Sequence, residues 1–147
     1  MPGTGTGDKS AVHTRESTVE LLMTRSPLVV WEGDAIAAVA EVLAEFKLSG
    51  LPVVDAEDHL VGVISETDLV RLRGSRLPWK AWHGLMVRDV MSTPAKTIPA
   101  TSPVAAAARQ MTAEGVSRLI VVDDLIRPIG VISESDLVRE IAASSDD

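Results

Sequence analysis

Gly62-Val63-Ile64-Ser65-Glu66-Thr67-Asp68 returns as Gly130-Val131-Ile132-Ser133-Glu134-Ser135-Asp136, 68 residues further along the chain. Six of the seven positions are identical, and the seventh exchanges one small hydroxyl residue for another. A repeat at this spacing marks one structural unit written twice. Each copy also carries an apolar strand onto a helix start, a place where backbone N–H groups stand ready to bind something.

Working outward, each repeat opens with a short helix ending in methionine and a turn to proline. The two openings are Leu21-Leu22-Met23-Thr24-Arg25-Ser26-Pro27 and Asp89-Val90-Met91-Ser92-Thr93-Pro94, the first with one extra residue before its proline. A short strand follows, Leu28 to Trp31 or Lys96 to Ile98. Then comes a helix with apolar residues at helical spacing: Ile36, Val39, Ala40, Leu43 and Phe46, or Val104, Ala107, Ala108 and Met111. Asp34 and Ser102 are the expected N-caps, with Pro103 at the first helical position. Leu51 to Val54 with Leu60 to Ile64, and Leu119 to Val122 with Ile129 to Ile132, are continuous apolar runs, the mark of strands covered on both faces. Asp55 to His59 and Asp123 to Arg127 are turns between strands. The expected organisation is a disordered tail over 1–16, repeats over 17–73 and 87–142, a linker over 74–86 and a tail over 143–147.

A chain of 147 residues can hide roughly 70% of its unfolded surface and needs neither disulfide nor metal to fold. It contains no cysteine, which removes disulfide scaffolds, thiolate zinc sites and cysteine nucleophiles together and fits a reducing cytoplasm. No apolar run approaches the ~20 residues that span a bilayer. The first fifteen residues lack the apolar core of a signal peptide, so the expectation is a cytoplasmic protein with no membrane partner. A net charge of −7 argues against general binding to nucleic acid.

Charge is uneven, however. Arg71, Arg73, Arg76, Lys80 and Arg88 form a strip free of acids. It reads either as helix-dipole complement plus solvated linker or as cations lent to a bound phosphate. Two of the three tryptophans, Trp79 and Trp82, fall in the same stretch and either fold back on the core or anchor a partner. His13, His59 and His83 lack partners at metal-ligand spacing, and no nucleophile elbow appears. The expectation is therefore no metal site and no enzyme.

Ser65 with Asp68, and Ser133 with Asp136, form the Ser-x-x-Asp capping box, in which hydroxyl and carboxylate satisfy each other's backbone N–H groups. Three features add a binding reading. The glycine three residues earlier lets a ligand approach the strand. The helix N-terminus suits phosphate. The carboxylate can accept two hydrogen bonds from adjacent hydroxyls such as a ribose offers. Glu66 and Glu134 put negative charge in the first turn, which favours adenosine or a monophosphate over a triphosphate.

With these motifs in order and repeated, the chain resembles a pair of CBS domains, the Bateman module, here as a stand-alone protein. The resemblance rests on the Met-to-Pro openings, on Leu51-Pro52-Val53-Val54-Asp55 with its echo Leu119-Ile120-Val121-Val122-Asp123, and on both Gly-Val-Ile-Ser-x-x-Asp segments. It implies an α/β (α+β) fold, each repeat a βαββα unit with a small three-stranded sheet, the two related by a pseudo-twofold axis. It also implies a homodimer and two clefts between the repeats that take adenosine-containing ligands (AMP, ADP, ATP or S-adenosylmethionine), with no cofactor required. Asp68 and Asp136 then hold ribose hydroxyls, and Ser65 and Ser133 contact ribose or phosphate. Val29-Val30 and Thr97-Ile98 meet the base through backbone groups and apolar contact. The copies differ at Arg118, which stands where the first has Gly50, and at Gly115, which stands where the first has Lys47. Arg118 is thus a candidate phosphate ligand at one of two unequal sites. The expected role is regulation of an unknown partner protein. The alternatives are a ligand-free interaction module, in which the motif only caps helices, and nucleic-acid contact through 71–88.

Overall fold

The computed structural model describes residues 17–25 and 28–144. The tail 1–16 with His13, the opening proline Pro27 and residues 145–147 lie outside this range. The chain forms two compact units that do not follow the sequence repeats. One joins the opening of the first repeat to the body of the second, over 17–25, 97–122 and 130–144; the other joins 28–96 to 123–129.

In order, the elements are α1 (Val19–Leu22), β1 (Thr24–Arg25), β2 (Val30–Trp31), α2 (Ile36–Phe46), β3 (Gly50–Val54), β4 (Leu60–Ser65) and α3 (Glu66–Arg73). A 3-10 helix (Trp79–Gly84) occupies the linker. There follow α4 (Val87–Val90), β5 (Thr97–Pro99), α5 (Val104–Glu114), β6 (Arg118–Val122), β7 (Pro128–Ser133) and α6 (Glu134–Ser144). The last helix thus runs into the expected 143–147 tail.

In the unit built on 28–96, β2, β3 and β4 form a three-stranded sheet in that order. β2 runs parallel to β3 with Val30 opposite Val53, and β3 runs antiparallel to β4 with Gly50 opposite Ser65. The apolar run from Leu51 to Val54 is buried throughout, as strands covered on both faces require. Its core comprises Val30, Ile36, Val39, Leu43, Leu51, Val53, Ile64 and Val87. In the other unit the sheet order is β1, β7, β6, β5, with β5 parallel to β6 and the two-residue β1 antiparallel to β7. The residues 68 positions away from that core (Ile98, Val104, Ala107, Met111, Leu119, Val121, Ile132 and Val19) are buried in turn. One packing solution is therefore used twice.

Val87 and Val19 belong to opening segments, and each packs with the body of the other repeat. The Val87 N–H donates to the Asp34 carbonyl at 2.9 Å, and the Ile36 N–H to the Leu85 carbonyl at 3.1 Å. The twin unit repeats this: Val19 N–H to Ser102 carbonyl at 2.8 Å, and Val104 N–H to Ser17 carbonyl at 2.9 Å. This exchange overturns the expected N-caps. Helix α2 starts from Ala35 and α5 from Pro103, neither start carrying a side-chain cap bond. A helix start leaves N–H groups unpaired, and here a carbonyl of the incoming segment takes the first of them in each helix, the place of a capping side chain. Asp34 instead accepts the Trp31 N–H at 2.9 Å and closes the turn before the helix.

The motif glycines also serve the exchange. A Cβ on Gly62 would lie 2.8 Å from the Ser92 carbonyl oxygen and 2.9 Å from the Met91 sulfur. On Gly130 it would lie 2.8 Å from the Thr24 carbonyl oxygen and would strike the Met23 sulfur. What comes close to the strand here is the methionine of an opening segment. Ser92 and Val63 exchange both backbone hydrogen bonds at this contact, at 2.8 and 3.0 Å. The Lys47/Gly115 difference likewise has a backbone meaning. Both residues are left-handed C-caps, at φ 54 and 65, donating N–H to Leu43 and Met111 carbonyls.

Two stability outcomes follow from these constraints. Gly62→Ala and Gly130→Ala each lower stability by about 1–3 kcal/mol through overpacking, measured by urea denaturation. Lys47→Gly raises it by about 1 kcal/mol, because glycine adopts the left-handed cap without a Cβ clash. An unchanged midpoint for Lys47→Gly would show that the strain is absent.

Candidate functional site

Asp68 and Asp136 are the buried charged side chains among the described residues, 3% and 5% exposed. Each stands at a strand-to-helix junction. In the first motif, Asp68 Oδ2 accepts the Ser65 N–H at 2.8 Å and the Ser65 hydroxyl at 2.9 Å, while the Asp68 N–H donates back to Ser65 Oγ at 3.2 Å. This is a complete capping box. The other oxygen, Oδ1, accepts the Ser92 hydroxyl at 2.7 Å and an Arg71 guanidinium N–H at 3.3 Å. In the second motif, Asp136 Oδ2 accepts the Ser133 N–H at 2.8 Å and the Ser133 hydroxyl at 3.1 Å, and Arg139 donates to Oδ1.

The backbone donors at the helix start are less available than expected. Ser65 and Asp68 N–H groups are used in the box, and the Glu66 N–H donates to the Ser49 carbonyl at 2.8 Å. Glu134 does the same with Ser117 at 2.9 Å. These bonds reduce the backbone donors left for a phosphate, while the outer carboxylate oxygens hold the arginines.

Ser92 and the two arginines escaped the seven-residue comparison. Ser92 joins the site through the exchanged opening segment, which no local pattern could foretell. The arginines did have a signal: the identity continues through Leu69-Val70-Arg71 and Leu137-Val138-Arg139. Residues three apart on a helix lie on one face, which brings each guanidinium back over its aspartate. Arg71 is thus more than a complement to the helix dipole.

The remaining candidates divide by exposure. Val30 and Ile98 have core side chains, leaving only their backbone for a ligand, whereas Val29 is 42% exposed. Thr97 is half-buried, and its carbonyl accepts Gln110 Nε2 at 2.9 Å. Arg118 opens β6, directly after Ser117, whose carbonyl holds the Glu134 N–H, so it lies beside the second motif. Its twin Gly50 pairs with Ser65.

The linker tryptophans part company. Trp79 is 62% exposed and meets His83 edge-on at 5.8 Å. Trp82 is half-buried, with the Arg73 guanidinium 5.9 Å above its ring. Together with Ile36, Ala37, Ala40, Leu69 and Leu72 they line an apolar pocket of about 280 Å³.

The two acidic turns are built alike. Asp55 Oδ1 accepts the N–H groups of Glu57 and His59, both at 2.9 Å. Asp123 Oδ1 accepts those of Leu125 and Arg127, again at 2.9 Å. Hydrogen bonding to the charged form lowers a carboxyl pKa. Asp55 is held below its ordinary value of 3.8 chiefly by the His59 N–H, and Asp123 likewise by the Arg127 N–H. Potential ligand atoms of Asp55, Glu57 and His59 converge within 4.8 Å, on a surface turn whose bonds are internal. Among the described residues no helix is long and apolar enough to cross a membrane.

Residues 19–75 and 87–143 each match the CBS domain. Homoserine O-acetyltransferase of Methanococcoides burtonii is 34% identical over 128 residues, which is 85% of this chain but 24% of that enzyme, so the chain spans about a quarter of that relative. CBSX2, a CBS-pair protein of Arabidopsis thaliana, has a crystal structure in complex with AMP that is 30% identical, covers 87% of this chain and 98% of its own, and superposes with a TM-score of 0.75. The CBS domain pair of protein MJ0100, solved with 5'-methylthioadenosine and S-adenosyl-L-methionine, shares the fold at 22% identity and a TM-score of 0.72, covering 88% of this chain and 98% of its own.

The acidic turns give a pH outcome. Because both carboxyls are lowered, their contribution is present above 3.8 and is lost as pH falls through the lower folded value. Carboxyl chemical shifts followed by NMR place both midpoints below 3.8. A midpoint at or above that value in Asp123 would mean the turn is open in solution.

Proposed function

The chain belongs to the CBS domain family, and on that premise we propose that it is a regulatory module sensing adenosine-containing ligands. Its ligand would be AMP, ADP, ATP or S-adenosylmethionine, and it would pass the signal to a protein partner from the cytoplasm. No catalysis is assigned to it. The observation that carries this reading is the pair of buried aspartates. An N-cap carboxylate works as well in water, and burying a charge is costly unless it is paired. Both carboxylates are withdrawn from solvent in the same setting, each with its outer oxygen held by an exposed arginine that a ligand can displace. Their Oδ1 atoms are suited to the vicinal hydroxyls of a ribose, with Ser65 and Ser133 beside them and Arg118 the cation that would meet a phosphate at the second motif. The AMP bound by CBSX2 supports this choice of ligand class.

Ligand binding would act by stabilising one arrangement of the protein and shifting its population. A homodimer suits the outward faces of α3 and α6, where the twin residues Val70 and Val138 stand 70% and 63% exposed and Ile141 65%. A second reading, an interaction module whose motifs serve only as caps, draws on the closed capping box at Ser65 and Asp68.

A thermal-shift panel of AMP, ADP, ATP and S-adenosylmethionine separates the two. At a hundred times its dissociation constant a ligand stabilises the protein by about 2.7 kcal/mol. Asp68→Asn with Asp136→Asn abolishes the shift while the apo protein still unfolds cooperatively. A flat panel, with calorimetric titration also silent, leaves the interaction module standing.

A further inference from the structure

We propose that Arg71 and Arg139 are latches that make the two sites selective for anionic over neutral adenosine ligands; this rests on the ligand class proposed above. Each guanidinium hydrogen-bonds the outer oxygen of a buried aspartate, Arg71 on Asp68 Oδ1 at 3.3 Å and Arg139 on Asp136 Oδ1. The inner oxygen is committed to the serine of the cap. The seat a ribose hydroxyl would need is therefore held by an arginine.

The latch is easily lifted. The Arg71 and Arg139 side chains are 71% and 70% exposed, against 2% and 5% for their aspartates. An ion pair with one end in water contributes little, so a diol displaces it at small cost. What becomes of the displaced cation then sets selectivity. A neutral nucleoside takes the guanidinium's hydrogen-bonding seat on the oxygen and supplies no second anion to replace it. A phosphate on the same ribose stands close to the vacated position and recaptures it through charge-assisted, bidentate hydrogen bonds. The first-turn glutamates Glu66 and Glu134 oppose phosphate on the helix side of each junction, which gives the arginine's compensation a purpose.

The sites are unequal on this account. At Asp68 the Oδ1 atom is shared with the Ser92 hydroxyl at 2.7 Å. Among the described residues, the Oδ1 of Asp136 receives Arg139 alone. Displacement at the second motif is therefore the easier, and Arg118 adds a second cation on that side.

The test is calorimetric titration of the intact chain with AMP and with adenosine, in wild type, in Arg71→Ala/Arg139→Ala and in Arg71→Lys/Arg139→Lys. A charge-assisted hydrogen bond lost from one ligand and competition removed from the other lower the AMP-to-adenosine affinity ratio by about tenfold or more in the alanine variant. Adenosine binds more tightly there, AMP more weakly, and the lysine variant keeps part of the preference. The wild-type ratio also shrinks as salt rises from low to high. An unchanged ratio in the alanine variant, or equal weakening of both ligands, overturns the latch while leaving the ligand class intact. Silence of the wild type towards both ligands, and towards the panel above, brings down the ligand class and the latch with it.

Discussion

A carboxylate taken out of water must have its oxygens filled, and at Asp68 that requirement organises everything around it. Its inner oxygen binds the serine that ends β4 and begins α3, so the strand and the helix meet at a fixed angle. Its outer oxygen takes the Ser92 hydroxyl, which fastens the opening segment of the second repeat to the body of the first. The same segment lies on Gly62, where only the lack of a side chain admits the Ser92 carbonyl and the Met91 sulfur. That segment also carries Val87 into the core of the first repeat's body.

The exchange of opening segments explains details that look unrelated along the chain. It supplies carbonyls to the first N–H groups of α2 and α5, which is why those helices begin on alanine and proline without capping side chains. It accounts for the invariance of glycine between the two copies. It also makes each unit dependent on both halves of the sequence, so neither repeat by itself carries a complete set of core residues. The three-stranded sheet of the first repeat and the four-stranded sheet of the second differ by β1, a product of the same exchange.

The candidate sites inherit this economy. The groups that hold the fold together, Ser65, Asp68, Ser133 and Asp136, are the groups proposed to meet a ribose. Structure and binding are then in competition for the same oxygens, and the exposed arginines are the partners most readily displaced. Coupling of this kind suits a sensor, because a ligand that replaces a structural contact changes the packing that the contact held.

The sequence alone determined the repeat, the Ser-x-x-Asp caps and the order of the main elements, though not β1 or the 3-10 helix of the linker. These rest on interactions between neighbours in the chain: continuous apolar runs, an apolar period of 3.6, and a serine three residues before a carboxylate. It reached Asp68 and Asp136 for the same reason, and it would have reached Arg71 and Arg139 had the comparison of the copies run three residues further. Only the tertiary structure decided which body each opening segment joins, why the motif glycine is there, and that the Glu66 and Glu134 N–H groups are already engaged. Those are contacts between residues far apart in the chain, such as Ser92 with Asp68 or Val19 with Ser102. No periodicity encodes such a choice, because two related repeats offer each opening segment two similar seats, and only the packed molecule says which one it takes.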